Sequence, residues 1–473
     1  VQHRGGQIAG NNAERSRVHN RRVVLGYLQN APQAGRAEIA RASGLSTQTV
    51  SNLVAELERE GLVIRTGRRR TERGQPPVQY SFNPAGGAAL GFEVRPDVLI
   101  MALSDLGGTL LMTRQVTLTD SDPATVFAAM RPLAQAARRA APGPVMGAGL
   151  VVPGPFGVEG LSAAGETVLH GWDGITAADQ ASAALDMPVL LQKDATAAAI
   201  AEGMRGAAQG LDGFCVLYFG KGLGLGVVAQ GQPLRGSSGN AGEIGHVIVT
   251  PGGTLCACGN RGCLEQYVSR MALRRFLVAQ GMIVPDPASE GPGAGPPSAS
   301  GLLPLAAATG EGSTGGAPPS ERPAGTAQTP QGARAENRLG GGDLPDDAPP
   351  DDILADDSMA EDQTDAVALA LLAAHDPRLL AWLDAGAAAL SRAIGMLENL
   401  LDPDTVILAG ALPDAILDAL IARLVLPPGS VARRAARKAP RVQRGTSGVL
   451  TAALAGAALI IHDVVTPRLD SAL

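Results

Sequence analysis

Three of the chain's four cysteines fall within eight positions, in the stretch CACGNRGCLE at residues 256–265, and no other feature constrains the fold as tightly. Clustered thiols in a long, cysteine-poor chain bind metal more often than they pair, and four cysteines in 473 residues make no disulfide scaffold. A histidine stands just upstream, in GNAGEIGHVIVTPGGTLCACGNRGCLEQY, so the candidate ligands are His246, Cys256, Cys258 and Cys263. One imidazole and three thiolates match the closed tetrahedral shell that zinc takes in structural sites. No position is left for water, so such an ion would hold a loop rather than activate a nucleophile. The other reading of the same residues is a tight turn with reduced cysteines.

Charge divides the chain. Residues 1–84 hold 13 arginines, no lysine and six acidic residues, a charge of +7, against −13 for the remainder and −6 overall. A basic head on an acidic body points to a nucleic-acid module joined to something else. Within the head, RRVVLGYLQN reads as a first amphipathic helix, RAEIARASGLS as a second ending in a glycine turn, and STQTVSNLVAELEREGLV as a third, with Ser46 as N-cap. Val50, Leu53, Val54 and Leu57 share one face of the third helix, leaving Thr47, Gln48, Thr49, Ser51 and Asn52 exposed near its start. A recognition helix has this profile, because its first turns reach base edges in the major groove of double-stranded DNA. The following GLVIRTGRRRTERGQPPVQYSFNP alternates as a β-hairpin carrying Arg68, Arg69, Arg70 and Arg73 at its tip, where arginines can neutralise phosphates or enter the minor groove. The plainer alternative is a three-helix bundle with a solvated basic loop.

At 473 residues and 45% hydrophobic composition the chain can bury a sizeable core and is expected to hold two or three domains. Arg4, Arg15, Arg17, Arg21 and Arg22 interrupt any apolar run at the start, so no signal peptide is read, and the late apolar stretch from Val449 to Ile461 is too short to span a bilayer. The expectation is a soluble, cytoplasmic protein without membrane contact. Beyond Pro84, short apolar runs alternate with Ala-rich helical stretches, the pattern of an α/β body. ALGFEVRPDVLIMALSDLGGTLL reads as a strand pair, VMGAGLVVPGPFG as a buried strand ending in a Pro-Gly loop, and DGFCVLYFGKGLGLGVVAQG as strand, Gly-rich turn and strand. That turn is either a hairpin or a phosphate cradle. Residues 286–365 are rich in Gly, Pro, Ser and acid, with too little apolar content to fold, and the stretch from Asp343 to Asp365 carries ten acidic residues and no basic one. We read a disordered insertion, a solubilising linker or, alternatively, a DNA mimic facing the basic head. The expected domains are therefore 1–84, a body of 85–285 with 366–473, and the insertion.

The stretch GEIGHVIVTPGGTLCACGNRGCLE resembles the signature of the ROK family of sugar kinases and sugar-responsive repressors. The likeness extends over nearly the whole chain, through the winged head, GLVVPGPFG, LHGWDGI, QKDATAAAIAEG and NLLDPDTVILAG. It implies an α/β fold with an N-terminal winged helix-turn-helix and a two-lobed, actin-like (ribonuclease H-like, sugar-kinase) body. It also implies roles: Asp194 stands where the kinases keep a general base, and Glu243, His246 and Glu265 match residues that hydrogen-bond sugar hydroxyls. Zinc would then pin the loop that carries the last three.

The sequence also departs from the family. Kinases open the body with an Asp-x-Gly-x-Thr phosphate loop, whereas this chain reads GFEVRPDVL, with Glu93 for the aspartate and neither the Gly nor the Thr. The second nucleotide loop, usually Gly-Thr-Gly, reads Gly220-Lys221-Gly222, and the pocket's Asn-Asp-Ala-Asn reads Lys193-Asp194-Ala195-Thr196. The chain has three lysines against 36 arginines, and two of them, Lys193 and Lys221, fall in the expected cleft. They either bind an anionic effector, or Lys193 pairs with Asp194 or Glu243 and plugs the pocket, or they lie on solvated surface. These features together are expected to make a non-enzymatic transcriptional regulator, a repressor of carbohydrate uptake or metabolism genes. It would act as a homodimer or homotetramer on operator DNA and answer to a sugar, sugar phosphate or sugar acid bound by Lys193, Asp194, Glu243, His246 and Glu265, with Asp194 a vestigial base. The competing readings are a sugar kinase with a fused DNA-binding head, and a regulator with a decayed pocket read out through a partner protein.

Overall fold

The computed structural model describes residues 13–68, 77–154, 176–237, 239–284, 363–434, 437–448 and 450–466, together with Leu169 and Trp172. The head comprises α1 (Ala13–Asn30), the short strand β1 (Ala34–Gly35), α2 (Arg36–Ser43), α3 (Thr47–Arg59), β2 (Val63–Arg68) and β3 (Val78–Phe82). Its strands pair antiparallel in the order β1-β3-β2. Local chemistry sets the helix ends. Gly44 takes the left-handed conformation, φ 70°, and stops α2. Ser46 Oγ then accepts from the Thr49 N–H at 3.1 Å and starts α3, whose buried residues are Val50, Leu53, Val54 and Leu57.

The body contains two five-stranded sheets of the same topology. The first is built from β4 (Ala88–Val94), β5 (Val98–Asp105), β6 (Leu110–Thr117), β7 (Val145–Val152) and β8 (Val189–Lys193), with α4 (Pro123–Ala140) and α5 (Ala177–Leu185) between the later strands. After α6 (Asp194–Arg205), the second sheet is built from β9 (Phe214–Phe219), β10 (Leu223–Ala229) and β11 (Gln232–Pro233). The helices α7 (Arg270–Ala279), α8 (Gln363–Ala373) and α9 (Pro377–Leu401) come next, then β12 (Val406–Gly410), α10 (Asp414–Ala422), β13 (Val442–Ser447) and the last helix, α11 (Thr451–Val465). The sheet orders are β6-β5-β4-β7-β8 and β11-β10-β9-β12-β13: an antiparallel meander followed by two parallel strands, made twice. This is the duplicated architecture expected of an actin-like body.

Helices α6 and α11 lie against each other, α6 also packing on β9 and β10 and α11 on β4 and β7. Their small residues let the backbones approach. A Cβ on Gly91 would run into the Ala453 carbonyl, and one on Gly149 into the backbone of Gly456. Near the other end of α11, Ala457, Ile460, Ile461 and Val465 join a core shared with Val24, Leu25, Leu28, Leu53 and Leu57 of the head. Arg22 on α1 pairs with Asp463 at 3.2 Å. The head therefore has no separate core, and a boundary at residue 84 divides the sequence without dividing the packing.

Three expectations shift. The stretch read as a strand pair is three strands, because the sequence turns at Gly107-Gly108 and β6, an edge strand, is too exposed to show strong alternation. The stretch GTSGVLTAALAGAALIIHDVV reads by sequence as one long terminal helix packed back on the body, whereas the helix starts only at Thr451 and Gly445 to Ser447 close β13. Helix α8 begins at Gln363, inside the range assigned to the insertion, and its Asp365 pairs with Arg270 at 2.8 Å. The rest of that insertion and the stretch LHGWDGI, save Leu169 and Trp172, lie outside the described residues. One described helix, α9, is long and apolar enough to cross a membrane, but 61% of its most apolar window is buried inside the protein, as in a core helix.

Candidate functional site

On α3, Ser46, Thr47, Gln48 and Asn52 are exposed and Thr49 and Ser51 half-buried, so the polar start of the helix faces outward as its sequence requires. Gln48 donates to Asn52 at 3.1 Å, which holds two candidate base-reading amides on one face. The far half of α3 is occupied differently: Glu56 takes Arg17 at 2.6 Å and Arg21 at 3.3 Å, and Arg21 also pairs with Glu60. Two of the head's positive charges are thus spent internally. Arg69, Arg70 and Arg73 lie outside the described residues, and of Arg68 only the backbone, at the end of β2, is described.

The four candidate metal ligands converge. The Nδ1 or Nε2 atom of His246 and the Sγ atoms of Cys256, Cys258 and Cys263 lie within 4.8 Å of one another. His246 Nδ1 is 3.6 Å from Cys256 Sγ, and Cys258 Sγ is 3.6 Å from Cys263 Sγ. A tetrahedron with Zn–S bonds of about 2.3 Å has edges of about 3.8 Å, so the donor set and its spacing fit zinc. The knuckle is shaped by Gly259 and Gly262, both at φ 85°; a Cβ on Gly262 would strike Thr250. Without an ion, burial pushes the Cys263 thiol up to about 11 and the Cys256 thiol higher still. These thiols stay protonated at neutral pH unless a cation replaces the proton.

Glu265 stands between this cluster and the turn that joins β9 to β10, where the sequence places the effector cleft. Its Oε1 lies 3.0 Å from Cys256 Sγ and 3.6 Å from His246 Nδ1, while its Oε2 lies 3.0 Å from where a Cβ on Gly222 would stand. The same turn, Gly220 to Gly222, touches the cleft's other carboxylate: a Cβ on Gly220 would lie 3.5 Å from Asp194 Oδ2. The turn joins the antiparallel pair β9 and β10, as in a hairpin, and places Lys221 half-buried at its centre. Asp194 opens α6, with Oδ1 accepting from the Ala195 N–H at 2.7 Å. Burial pushes its carboxyl up to about 7; the Ala195 N–H and Lys193 pull it down, and the Glu93 and Glu243 carboxylates push it up.

Two cations in the cleft are already engaged. Lys193 Nζ donates to Glu243 Oε1 at 2.7 Å and to the Ala241 carbonyl at 2.8 Å. Arg95, just past the end of β4, donates to both oxygens of Glu93, at 2.6 and 3.1 Å. A Lys193–Glu243 pair belonged to one of three readings of the sequence. Arg95 was missed, although its place two residues after Glu93 on a strand end was a usable signal. The link between α11 and the head was also missed, for no local pattern announces which partner an Ala-rich helix will choose.

The comparisons with known proteins fit this geometry. Residues 90–286 match the ROK family. Residues 90–286 therefore form a ROK family domain. Residues 22–74 match the MarR family, so the ROK domain carries a MarR-type winged helix. Over 271 residues the chain is 29% identical to the xylose repressor of Bacillus subtilis (strain 168), an alignment covering 55% of this chain and 68% of that protein. A shorter stretch of 106 residues is 42% identical to a glucokinase of Thermotoga maritima, covering 22% of this chain and 33% of the enzyme. The crystal structure of a ROK family transcriptional regulator, described as a homolog of the Escherichia coli MLC protein, superposes with a TM-score of 0.62 at 21% identity, covering 95% of this chain and 97% of that one. That last likeness establishes the fold.

Proposed function

We propose that this protein is a sugar-responsive DNA-binding repressor of genes for carbohydrate uptake or use, working in the cytoplasm as a dimer or tetramer on a palindromic operator. The observation that carries the reading is the shared core between the winged head and α11, a helix that also packs on the floor of the ROK body. Helix α3 would enter the major groove with Thr47, Gln48, Thr49, Ser51 and Asn52 toward base edges, and the wing arginines would hold phosphates. Glu243, His246, Glu265 and Asp194 would hydrogen-bond the effector's hydroxyls, since carboxylates accept from several hydroxyls at once.

His246, Cys256, Cys258 and Cys263 would hold zinc, which when bound supplies a fixed anchor for the loop between Glu243 and Glu265 and no open coordination site. The histidine can serve both tasks, one ring nitrogen at the metal and the other free for a second partner. An effector can release DNA only through different affinities for two arrangements of the body, and α6 and α11 give the cleft a continuous route to the head.

The kinase reading is favoured by one observation: a carboxyl lifted to about 7 suits a general base at neutral pH. Against it, Arg95 and Glu93 fill the nucleotide side with an internal ion pair. Two assays separate the readings. In the first, DNA selected from a random pool by the full chain is released by D-xylose or D-glucose. In the second, a coupled assay with ATP across the same sugars detects turnover. Release without turnover is the expected result; turnover, or failure to enrich any DNA sequence, would overturn it.

A further inference from the structure

Lys193 is the last residue of β8 in the first sheet, yet both groups its ammonium binds belong to the segment after β11 in the second. That segment is fixed to its own lobe: the Leu225 N–H of β10 donates to the Gly242 carbonyl at 2.8 Å, and Gly242 sits at φ 94°, where a Cβ would strike Leu225. The lysine stem reaches across beside Gly154, just past the end of β7, and a Cβ there would stand 2.5 Å from Lys193 Cδ. Only a glycine leaves room for the side chain to lie this way.

The two halves of the pair differ in access. The side chain of Lys193 is 4% exposed, whereas that of Glu243 is 30% exposed. The ammonium thus lies beneath the carboxylate, away from anything that enters the cleft. A buried pair of this kind gains little net stability, because desolvation offsets the attraction, but it holds its partners in one geometry. A lysine can only donate, so the bond fixes which Glu243 oxygen turns inward, leaving Oε2 for a hydroxyl donor.

We propose that Lys193 is a positioning residue that clamps the Ala241–Glu243 segment of the second lobe to the β8–α6 junction of the first, presenting Glu243 to the effector without touching it. The clamp rests on the geometry alone; its bearing on an effector rests on the sugar-responsive reading. It differs from both roles the sequence offered, a contact for an anionic effector and a plug that removes the pocket. An anion would find Lys193 and Arg95 paired and Glu93 and Glu243 close by, while the plug would leave Glu243 covered.

The composition makes a direct test available, because the chain has only three lysines. Full-length protein labelled with 15N and 13C in lysine shows at most three ammonium signals. The clamp requires one that resists solvent exchange at neutral pH, that is retained in Lys221→Met and Lys438→Met, and that is lost in Glu243→Gln. Assignment by elimination means the result does not depend on the folding of Lys193→Met. Where that variant folds, amide exchange at Ala241 to Ile244 should accelerate at least tenfold, and Lys193→Arg should restore part of the protection. Three ammonium signals that exchange alike, or a protected signal unmoved by Glu243→Gln, would overturn the clamp. A thermal shift with D-xylose or D-glucose tests the sugar reading separately: a protected lysine without a shift leaves the clamp standing and removes that role, and a shift with an unprotected lysine does the reverse.

Discussion

Replacing Ile461 by alanine should lower the stability of the DNA-binding head from a position in the last helix of the body. Ile461 is 2% exposed and packs into the core formed by Val24, Leu25 and Leu28 of α1 with Leu53 and Leu57 of α3. Truncating a buried isoleucine costs about 2–5 kcal/mol, the transfer of the lost atoms plus the cavity left behind. The upper half of that range applies here, because the neighbours are anchored on separate elements and cannot all collapse into the gap. Domains of 150–250 residues lose about 2–4 °C of melting temperature per kcal/mol, so a drop of roughly 10 °C is expected. The chain's two tryptophans, Trp172 and Trp382, both lie in the body, so their fluorescence reports the body alone while anisotropy of bound DNA reports the head. In the wild type both signals should be lost at one temperature, and in Ile461→Ala both midpoints should fall together. If DNA binding survives to its original temperature while the tryptophan transition drops, the head folds on its own and the shared core does not couple it to the body.

Three further outcomes follow from the site. Cys263→Ser should lose the bound zinc and the protection of residues 246–265 from proteolysis, whereas chelator treatment of the wild type should release about one ion per chain and reproduce the same cleavage; metal analysis with mass-mapped proteolysis checks both. Asp194→Asn should change the pH dependence of stability. Burial pushes the native carboxyl up to about 7 from its ordinary value of 3.8, so between these values the native state holds a proton that the unfolded state has released, and stability falls as pH rises from about 4 to about 7. The asparagine variant should be flatter across that window in urea titrations. Ser46→Ala removes the cap on α3 and should cost about 1 kcal/mol, read by denaturant midpoint, with a loss of DNA affinity that D-xylose does not alter.

Much of this was legible because the signals are local. The amphipathic face of α3, the serine cap and the glycine stop follow from side chains within a few residues of one another, and the donor set of His246, Cys256, Cys258 and Cys263 from one short stretch. The cleft was legible in its members but only partly in its wiring. Sequence spacing brings Lys193 next to Asp194, yet the ammonium crosses to Glu243, 50 residues on, because β8 ends opposite the segment that follows β11. The Arg95–Glu93 pair forms within one turn of chain, but the sequence drew attention to what was missing there rather than to what replaced it. The packing of α11 on the body was legible, but not which strands it meets: its Ala-rich surface suits any close helix or strand contact, and the one that forms is decided by Gly91 and Gly149, more than 300 residues earlier in the chain.

The two helices between the sheets define what a bound effector could move. Helix α6 starts at Asp194 in the cleft and spans 12 residues, about 18 Å, ending where Met204, Arg205 and Gln209 line a 290 Å³ cavity with Gln29 and Asn30 of α1. Helix α11 lies alongside it and reaches the same head through Ile460, Ile461 and the Arg22–Asp463 pair. Both ends of this helix pair are therefore defined by contacts, and the close backbone approaches at Gly91, Gly149 and Gly456 leave α11 little room to slide over the first sheet. A displacement at the cleft would more readily carry the pair as a unit than bend it. Packed interfaces of this kind have a few discrete arrangements rather than a continuum, so the head would move with the first lobe between defined positions. Switching it almost fully, from 1:99 to 99:1, needs an effector that favours one arrangement by about 10⁴. Hydrogen bonds that Glu243, Glu265 and Asp194 would make together in only one arrangement can supply that difference, whereas a ligand held by one lobe alone cannot. The Lys193 clamp bears on this directly, since it sets how far the two lobes must be apart before Glu243 and Asp194 can share a ligand.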